Sequence, residues 1–206
     1  MARLAHKYKF VRCFGLWGTF EDGLKWFERV PGPRFFFSLG SSFGNDFFES
    51  AVARLMPWAQ AMRPEDRMLL GMDATTDLRV IWDSYHDSQG LFEKFMRNGL
   101  MHSNRVLGHS WYRAEDWDVV GVFENDPIMH RFVFRALGEV VCPLLGLQFT
   151  KGDEIDCYEA FKYGPSIMRQ QFKRTGLEEM DIWKSPSSRI CKCISSLFPS
   201  SKGTSY

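Results

Sequence analysis

One-sided charge is missing from this chain: 26 Lys and Arg stand against 25 Asp and Glu, a net charge of +1. Bulk electrostatics therefore gives no reason to expect nucleic acid or an anionic membrane as a partner. No apolar run reaches the roughly 20 residues that span a bilayer. The basic start, Met1-Ala-Arg-Leu-Ala-His-Lys-Tyr-Lys, leads into no apolar core of signal length, so a cytoplasmic location is expected. The cysteines Cys13, Cys142, Cys157, Cys191 and Cys193 are odd in number and follow no disulfide-framework spacing. Cys191-Lys-Cys193 has no companion His or Cys pair, so no metal is expected, and reduced, mostly buried thiols are the reading. Also absent are a Walker loop, a His-Glu-x-x-His helix and a nucleophile elbow.

What the chain does have is aromatic rings, 16% of its residues, with 19 phenylalanines. A phenylalanine-rich core is the first explanation, an aromatic-lined pocket the second. The 206 residues suffice for one sizeable domain, or one large domain with an excursion.

The stretch Arg34-Phe-Phe-Phe-Ser-Leu-Gly40-Ser-Ser-Phe-Gly44-Asn45 joins an apolar run of strand length to a glycine-rich loop. A helix-like segment follows, with Phe47, Phe48, Ala51, Val52, Leu55 and Trp58 at helical spacing. With so many consecutive apolar residues, Phe35–Leu39 is expected to be buried on both faces. Asp66–Asp73 reads as a second central strand. The two strands with a helix between them form a βαβ unit, and a parallel sheet follows. Gly40 and Gly44 fit either a structural turn or a loop that brings backbone close to a ligand.

Upstream, Tyr8–Phe14 alternates as a short strand, and Thr19 or Asp22 is placed to cap a helix. From Asp77 to Gly108 the pattern is helix on helix, and from Val119 to Phe123 and Met129 to Leu137 it is extended. Leu147–Tyr163 reads as strand, Lys-Gly turn, strand. Pro165 opens a helix ending at Gly176, and Leu177–Trp183 and Arg189–Ile194 are final strands. The Ser-rich tail from Ser195 is expected to be disordered.

The candidate polar groups leave alternatives open. His86 is a general base or a satisfied core histidine; Asp73 and Asp77 orient a cation or amine, or cap the next helix. Along a strand, Glu154 and Asp156 share one face and Glu159 takes the other.

Five pieces of the chain, in order, resemble the S-adenosylmethionine-dependent histidine-specific methyltransferase family. It includes the histidine Nα-methyltransferases of ergothioneine biosynthesis and the fungal 4-dimethylallyltryptophan N-methyltransferases. The pieces are Gly15-Leu-Trp-Gly-Thr-Phe-Glu-Asp-Gly-Leu24, Leu39-Gly-Ser-Ser-Phe-Gly-Asn45, Leu70-Gly-Met-Asp73, Tyr85-His-Asp87 with Phe95-Met-Arg-Asn98 and Asn104-Arg-Val-Leu-Gly108, and Phe161-Lys-Tyr163. The resemblance implies methyl transfer to an amine in line with the cofactor's sulfur, with little acid–base chemistry and no catalytic side chain assigned. It implies that Gly40 and Asn45 meet the substrate's amino-acid end and Tyr85 its carboxylate. Thr19 and Phe20 would lie by the adenine of S-adenosyl-L-methionine.

The substrate wall departs from the histidine enzymes. Their glutamate and serine, four and two residues ahead of the lysine, are replaced here by Tyr158 and Ala160, and Phe132 stands where a methionine lies in the bacterial enzyme. An indole or another bulky amine is therefore expected in place of histidine, within fungal-type alkaloid or other specialised metabolism.

Members of the family also carry a preceding half-chain with the first strand and the cofactor's glycine-rich loop. The expected fold is thus α/β, an incomplete Rossmann-like class I methyltransferase sheet with a helical plus antiparallel-strand substrate domain. Residues 1–76 would belong to the core, 77–163 to the substrate excursion, 164–194 to the return, and 195–206 to the tail. The alternatives to an active enzyme are a non-catalytic module pairing with another chain through an exposed sheet edge, and an incompletely predicted gene.

Overall fold

The computed structural model describes residues 10–11, 15–40, 42–185 and 190–197. Most of the expected strand at Tyr8–Phe14, together with Cys13 and Arg189, lies outside them.

Helix α1 (Phe20–Phe27) begins at a capping box, in which Thr19 and Asp22 exchange side-chain and backbone hydrogen bonds. Strand β1 (Phe35–Ser38), helix α2 (Phe48–Ala61) and strand β2 (Arg67–Asp73) form the βαβ unit, and β1 and β2 pair in parallel. Helix α3 (Leu78–Tyr85) and helix α4 (Leu91–Leu107) follow. Asp77 caps α3 by accepting the Arg79 and Val80 amides, which resolves its two readings in favour of the cap. Asp87 takes the amides of Gln89, Leu91 and Phe92 ahead of α4.

Strands β3 (Trp117–Asn125), β4 (Ile128–Ala136) and β7 (Glu154–Phe161) make an antiparallel sheet in the order β3-β4-β7. The short β5 (Val140–Cys142) pairs with β6 (Leu147–Phe149), so β6 is not the hairpin partner of β7 that the sequence suggested. Helix α5 (Pro165–Arg174), strand β8 (Leu177–Lys184) and strand β9 (Ile190–Leu197) return to the first sheet, whose order is β1-β2-β9-β8. The fold is α/β: a mixed sheet with a parallel pair, and a separate antiparallel sheet packed on helices.

One apolar cluster joins α2, the first sheet and α5 through Phe36, Leu55, Met68, Leu70 and Phe172. It also takes in Met129 and Phe161 from the second sheet and Tyr163 just beyond β7, which ties the two sheets together. A second cluster packs Met96 of α4 against Trp117, Phe132 and Phe134.

Three expectations fail here. Strand β1 is not buried on both faces: Phe36 is 6% exposed, whereas Phe35 and Phe37 are 58% and 63% exposed. The strand lies at the sheet's edge, and only the Phe36 face meets α1 and α2, through Phe27 and Trp58. The Ser-rich segment does not begin as a disordered tail, because Ser195–Leu197 belong to β9, between β2 and β8. There Ser195 is fully buried, its hydroxyl directed to the Met68 carbonyl. The third failure is partial and concerns the phenylalanine-rich core alone, since only two of the five cysteines have described side chains. Phe36, Phe132, Phe134, Phe161 and Phe172 are core residues, but Phe20, Phe35, Phe37, Phe47 and Phe95 are exposed. Cys142 is buried and Cys157 exposed.

Candidate functional site

The loop after β1 turns at Gly40 and Gly44, both at positive φ (97° and 78°), where a side chain would strain the backbone. Strand β2 makes room for it. A Cβ at Gly71 would lie 3.2 Å from the Gly40 amide nitrogen, closer than such contacts normally come. The loop then fastens onto the free edge of β7. Asn45 Nδ2 donates to the Glu159 carbonyl at 3.0 Å, and Asn45 Oδ1 accepts the Phe161 amide at 2.9 Å. The Tyr163 hydroxyl donates to the Asp46 carbonyl at 2.9 Å, and the Phe47 ring packs edge-on to Phe161 at 4.9 Å. These contacts place backbone at an open strand edge in register with a loop more than a hundred residues away. An asparagine suits that role because its amide offers both a donor and an acceptor.

The clasp brings the carboxyl end of β2 beside the end of β7. Lys162, 7% exposed, donates to the Tyr85 hydroxyl at 3.0 Å and pairs with the Asp73 carboxylate at 3.2 Å. Asp73 thus holds a cation, and its other oxygen accepts the Thr75 amide. A narrow cleft lined by Phe43, Gly44, Met72, Asp73, Phe161 and Tyr163 opens at this junction.

Behind Tyr85 lies an aromatic wall. Phe132 pairs across the sheet with Tyr158, and His130 with Ala160. The Tyr85 ring stacks on His130 at 4.7 Å and lies 5.8 Å from Tyr158. Phe92 of α4 stacks on Phe132 at 5.4 Å. Burial, with the neighbouring Tyr85 phenol, pushes the Tyr158 phenol up.

A β-bulge sets which residues face this wall. Phe132 pairs with Tyr158 and Val133 with Asp156, so Cys157 is the extra residue in β7. Beyond it Tyr158 and Ala160 point inward, and Glu159 stands opposite Arg131 on the outer face. The expectation that Glu159 takes the face opposite Glu154 and Asp156 is therefore corrected: all three line the outer face. There Asp156 pairs with Arg131 and Glu154 with Arg135. Simple alternation miscounts because a bulge carries no local sequence mark.

His86 and His130 meet through their Nε2 atoms at 3.0 Å, and Trp82 stacks on His86 at 3.7 Å. A Cβ on Gly121 would come within 2.5 Å of the His86 ring, so the missing side chain there accommodates the pair. Burial lowers the pKa of both, His130 to about 4 with help from the charges of His86 and Lys162. His86 is thus a core-wall histidine hydrogen-bonded to a second histidine. His130 is a site neighbour with a sequence signal of its own, since it stands two places from Phe132 on the same face of β4.

Asn45, Tyr85, Phe132, Tyr158 and Ala160 converge around the end of β7, and Gly40 turns the loop that reaches them. Thr19 and Phe20 stand apart at the start of α1, and among the described residues no hydrogen bond or ring contact links them to this cluster.

A family profile described as histidine-specific methyltransferase, SAM-dependent, matches residues 1–196. The chain belongs to this family. It is 29% identical over 181 residues to ergothioneine biosynthesis protein 1 of Neurospora crassa, covering 85% of this chain and 20% of that protein. It is 25% identical to N-methyltransferase dtpB of Aspergillus flavus, covering 91% of this chain and 57% of that protein. It is also 25% identical to histidine N-alpha-methyltransferase of Mycolicibacterium smegmatis, covering 90% and 59%. The chain thus spans little more than half the length of the latter two relatives and a fifth of the first. A solved S-adenosylmethionine-dependent methyltransferase from Clostridium acetobutylicum aligns with 84% of this chain and 63% of its own, at a TM-score of 0.42 and 10% identity.

For a histidine-specific methyltransferase the methyl donor is S-adenosylmethionine, and the start of α1 decides which described residues suit it. The Thr19 amide and hydroxyl are both engaged with Asp22 in the capping box. The Phe20 ring is 81% exposed. A flat apolar ring fits an adenine face, so of these two residues Phe20 would be the one to hold the adenine, and Thr19 would only present it. Among the described residues no helix is long and apolar enough to cross a membrane.

Proposed function

We propose that this chain forms the acceptor side of an S-adenosylmethionine-dependent N-methyltransferase whose substrate is an amino acid or indole-alkaloid precursor with a bulky ring. The carrying observation is the convergence of Asn45, Tyr85, Phe132, Tyr158 and Ala160 at one strand end. Its relatives include fungal enzymes named as N-methyltransferases.

The chemistry asks for an amine held unprotonated and in line with an electrophilic methyl group, which S-adenosylmethionine supplies when bound. Asn45 uses one amide hydrogen and one lone pair on β7, which leaves one of each for a ligand. Gly40 keeps the loop backbone open beside it, since a Cβ there would meet nothing within 4 Å. The ring-binding wall is formed by Phe132, Tyr158 and Ala160 and contains no carboxylate, because the bulge turns Glu159 outward. An aromatic wall of that kind favours indole over imidazole.

Calorimetric titration tests this. L-tryptophan is expected to bind at least about tenfold more tightly than L-histidine, a margin equal to about 1.4 kcal/mol. Asn45→Ala should weaken tryptophan about tenfold and leave S-adenosylmethionine affinity within about twofold. A preference for histidine, or an Asn45→Ala effect confined to S-adenosylmethionine, would overturn the assignment.

A non-catalytic reading draws on a different observation. Strand β1 is a sheet edge carrying exposed Phe35 and Phe37, stacked at 6.4 Å, which suits strand pairing with a second copy. Size-exclusion chromatography is expected to show a concentration-dependent dimer that Phe37→Lys disperses. A monomer at every concentration would exclude the pairing.

A further inference from the structure

Helix α3 meets the edge strand β3 closely at one end only. At its carboxyl end the helix comes near, because Gly121 has no side chain where the His86 ring lies. One turn earlier Trp82 and Phe123 meet ring to ring at 5.6 Å and hold the helix off the strand. The gap is a cleft of about 320 Å3, lined by Leu78, Arg79, Trp82, Asp83 and Phe123. That volume is at the low end for small-molecule sites. Between the cleft and the acceptor wall stand His86, stacked on Trp82, and His130, stacked on Tyr85.

Two opposite charges border this cleft with no partner to occupy them. Arg79 and Asp83 are exposed and one turn apart on α3. Among the described residues neither side chain makes a hydrogen bond or an ion pair. Helix stability gives no reason for either placement. Arg79 stands at the positive end of the α3 dipole and Asp83 in the last turn, each the unfavourable end for its charge. An arginine four residues ahead of an aspartate is also the weaker order for a pair along a helix. The floor is apolar: one face of Trp82 is covered by His86, and the residue remains 38% exposed beside Phe123 and Leu78.

We propose that the cleft between α3 and β3 is a binding site for a small aromatic zwitterion, of the class of a free aromatic amino acid. Its ring lies on Trp82 and Phe123, its carboxylate meets the planar fork of Arg79, and its ammonium meets Asp83. The inference is independent of the acceptor-site reading, which uses none of these residues. Ring contact supplies the affinity and the two charges supply the selection, since an exposed ion pair adds little by itself and fades with added salt.

The probes are L-phenylalanine, phenethylamine, which lacks the carboxylate, and hydrocinnamate, which lacks the ammonium. In calorimetric titration at low salt, L-phenylalanine is expected to bind at least about threefold more tightly than either, the scale of one exposed ion pair. Arg79→Gln should remove the preference over phenethylamine and keep that over hydrocinnamate. Asp83→Asn should do the reverse. The Trp82 indole N–H resonance, assigned by its disappearance in Trp82→Phe, should shift as L-phenylalanine is added to the unaltered chain. No binding of L-phenylalanine, equal binding of the three probes, or preferences that survive both substitutions would overturn the inference. So would a Trp82 resonance that stays fixed while L-phenylalanine binds, because the ligand would then lie elsewhere. None of these outcomes touches the acceptor-site reading, which stands or falls on Asn45→Ala.

Discussion

Asp66→Ala is expected to lower the unfolding free energy by about 3–5 kcal/mol, the usual cost of stripping one partner from a buried ion pair. The Asp66 side chain is fully buried and that of Arg34 is 5% exposed. The carboxylate accepts the Arg34 amide at 2.8 Å, Arg34 Nε at 2.9 Å and the Arg63 amide at 2.7 Å. The guanidinium also donates to the Phe27 carbonyl at 2.8 Å and the Ala61 carbonyl at 2.7 Å. One residue pair thus secures the end of α1, the end of α2 and the starts of both parallel strands. Without Asp66 the guanidinium keeps its two carbonyls and loses its countercharge. Against the usual 5–15 kcal/mol of total stability, that loss should move the denaturant midpoint visibly. A change below about 1 kcal/mol would mean that the pair is solvated. Burial acts to raise the Asp66 pKa, but the hydrogen bonds from Arg34 and Arg63 outweigh it and hold the carboxyl below its ordinary value. The sign follows: this stabilisation is present above the unfolded carboxylate's pKa of about 3.9 and is lost as pH falls from there through the depressed folded value.

A separate loss of stability is expected at milder acidity. His130 is fully buried, and its pKa falls from 6.5 to about 4 through burial and the charges of His86 and Lys162. The unfolded chain takes up the proton first, so stability is complete above about pH 6.5 and declines as pH falls toward 4. The full difference is about 3 kcal/mol, at about 1.4 kcal/mol per pKa unit. Urea unfolding at pH 7 and pH 4.5 measures it. His130→Phe should remove most of the decline while leaving the lower-pH loss tied to Asp66. Equal declines in both proteins would assign the acid sensitivity elsewhere.

Local signals carried the elements well. The apolar run before Gly40, the helical spacing through Trp58 and the strand ending at Asp73 became β1, α2 and β2. The motif set pointed to the residues that gather at β7, yet several motif positions turn out to serve architecture. Asp87 takes the amides at the start of α4, and Asn104 grips both backbone groups of Tyr112. Other features depend on partners distant in sequence and left no local trace. Phe35 and Phe37 read like a buried strand because periodicity does not record whether a helix covers a given face. Ser195 looked like linker because composition does not reveal that its strand runs between two others. Arg34 and Asp66 are 32 residues apart, and each alone reads as a surface charge at a turn.

The extra residue in β7 gives the aromatic wall an unusual kind of adjustability. Because Cys157 is surplus to the ladder, the strand can lose one residue there and close into regular pairing. Loss of Cys157 would leave the phenol of Tyr158 opposite Phe132. Loss of Tyr158 would leave the thiol of Cys157 in that place. In both cases Ala160, Phe161 and Lys162 would keep their alignment with β4 and with Asn45. A single deleted codon, that of Tyr158, would therefore remove most of a phenol ring from the aromatic wall while keeping the ladder, so that in this part of the fold the wall changes through chain length as readily as through substitution.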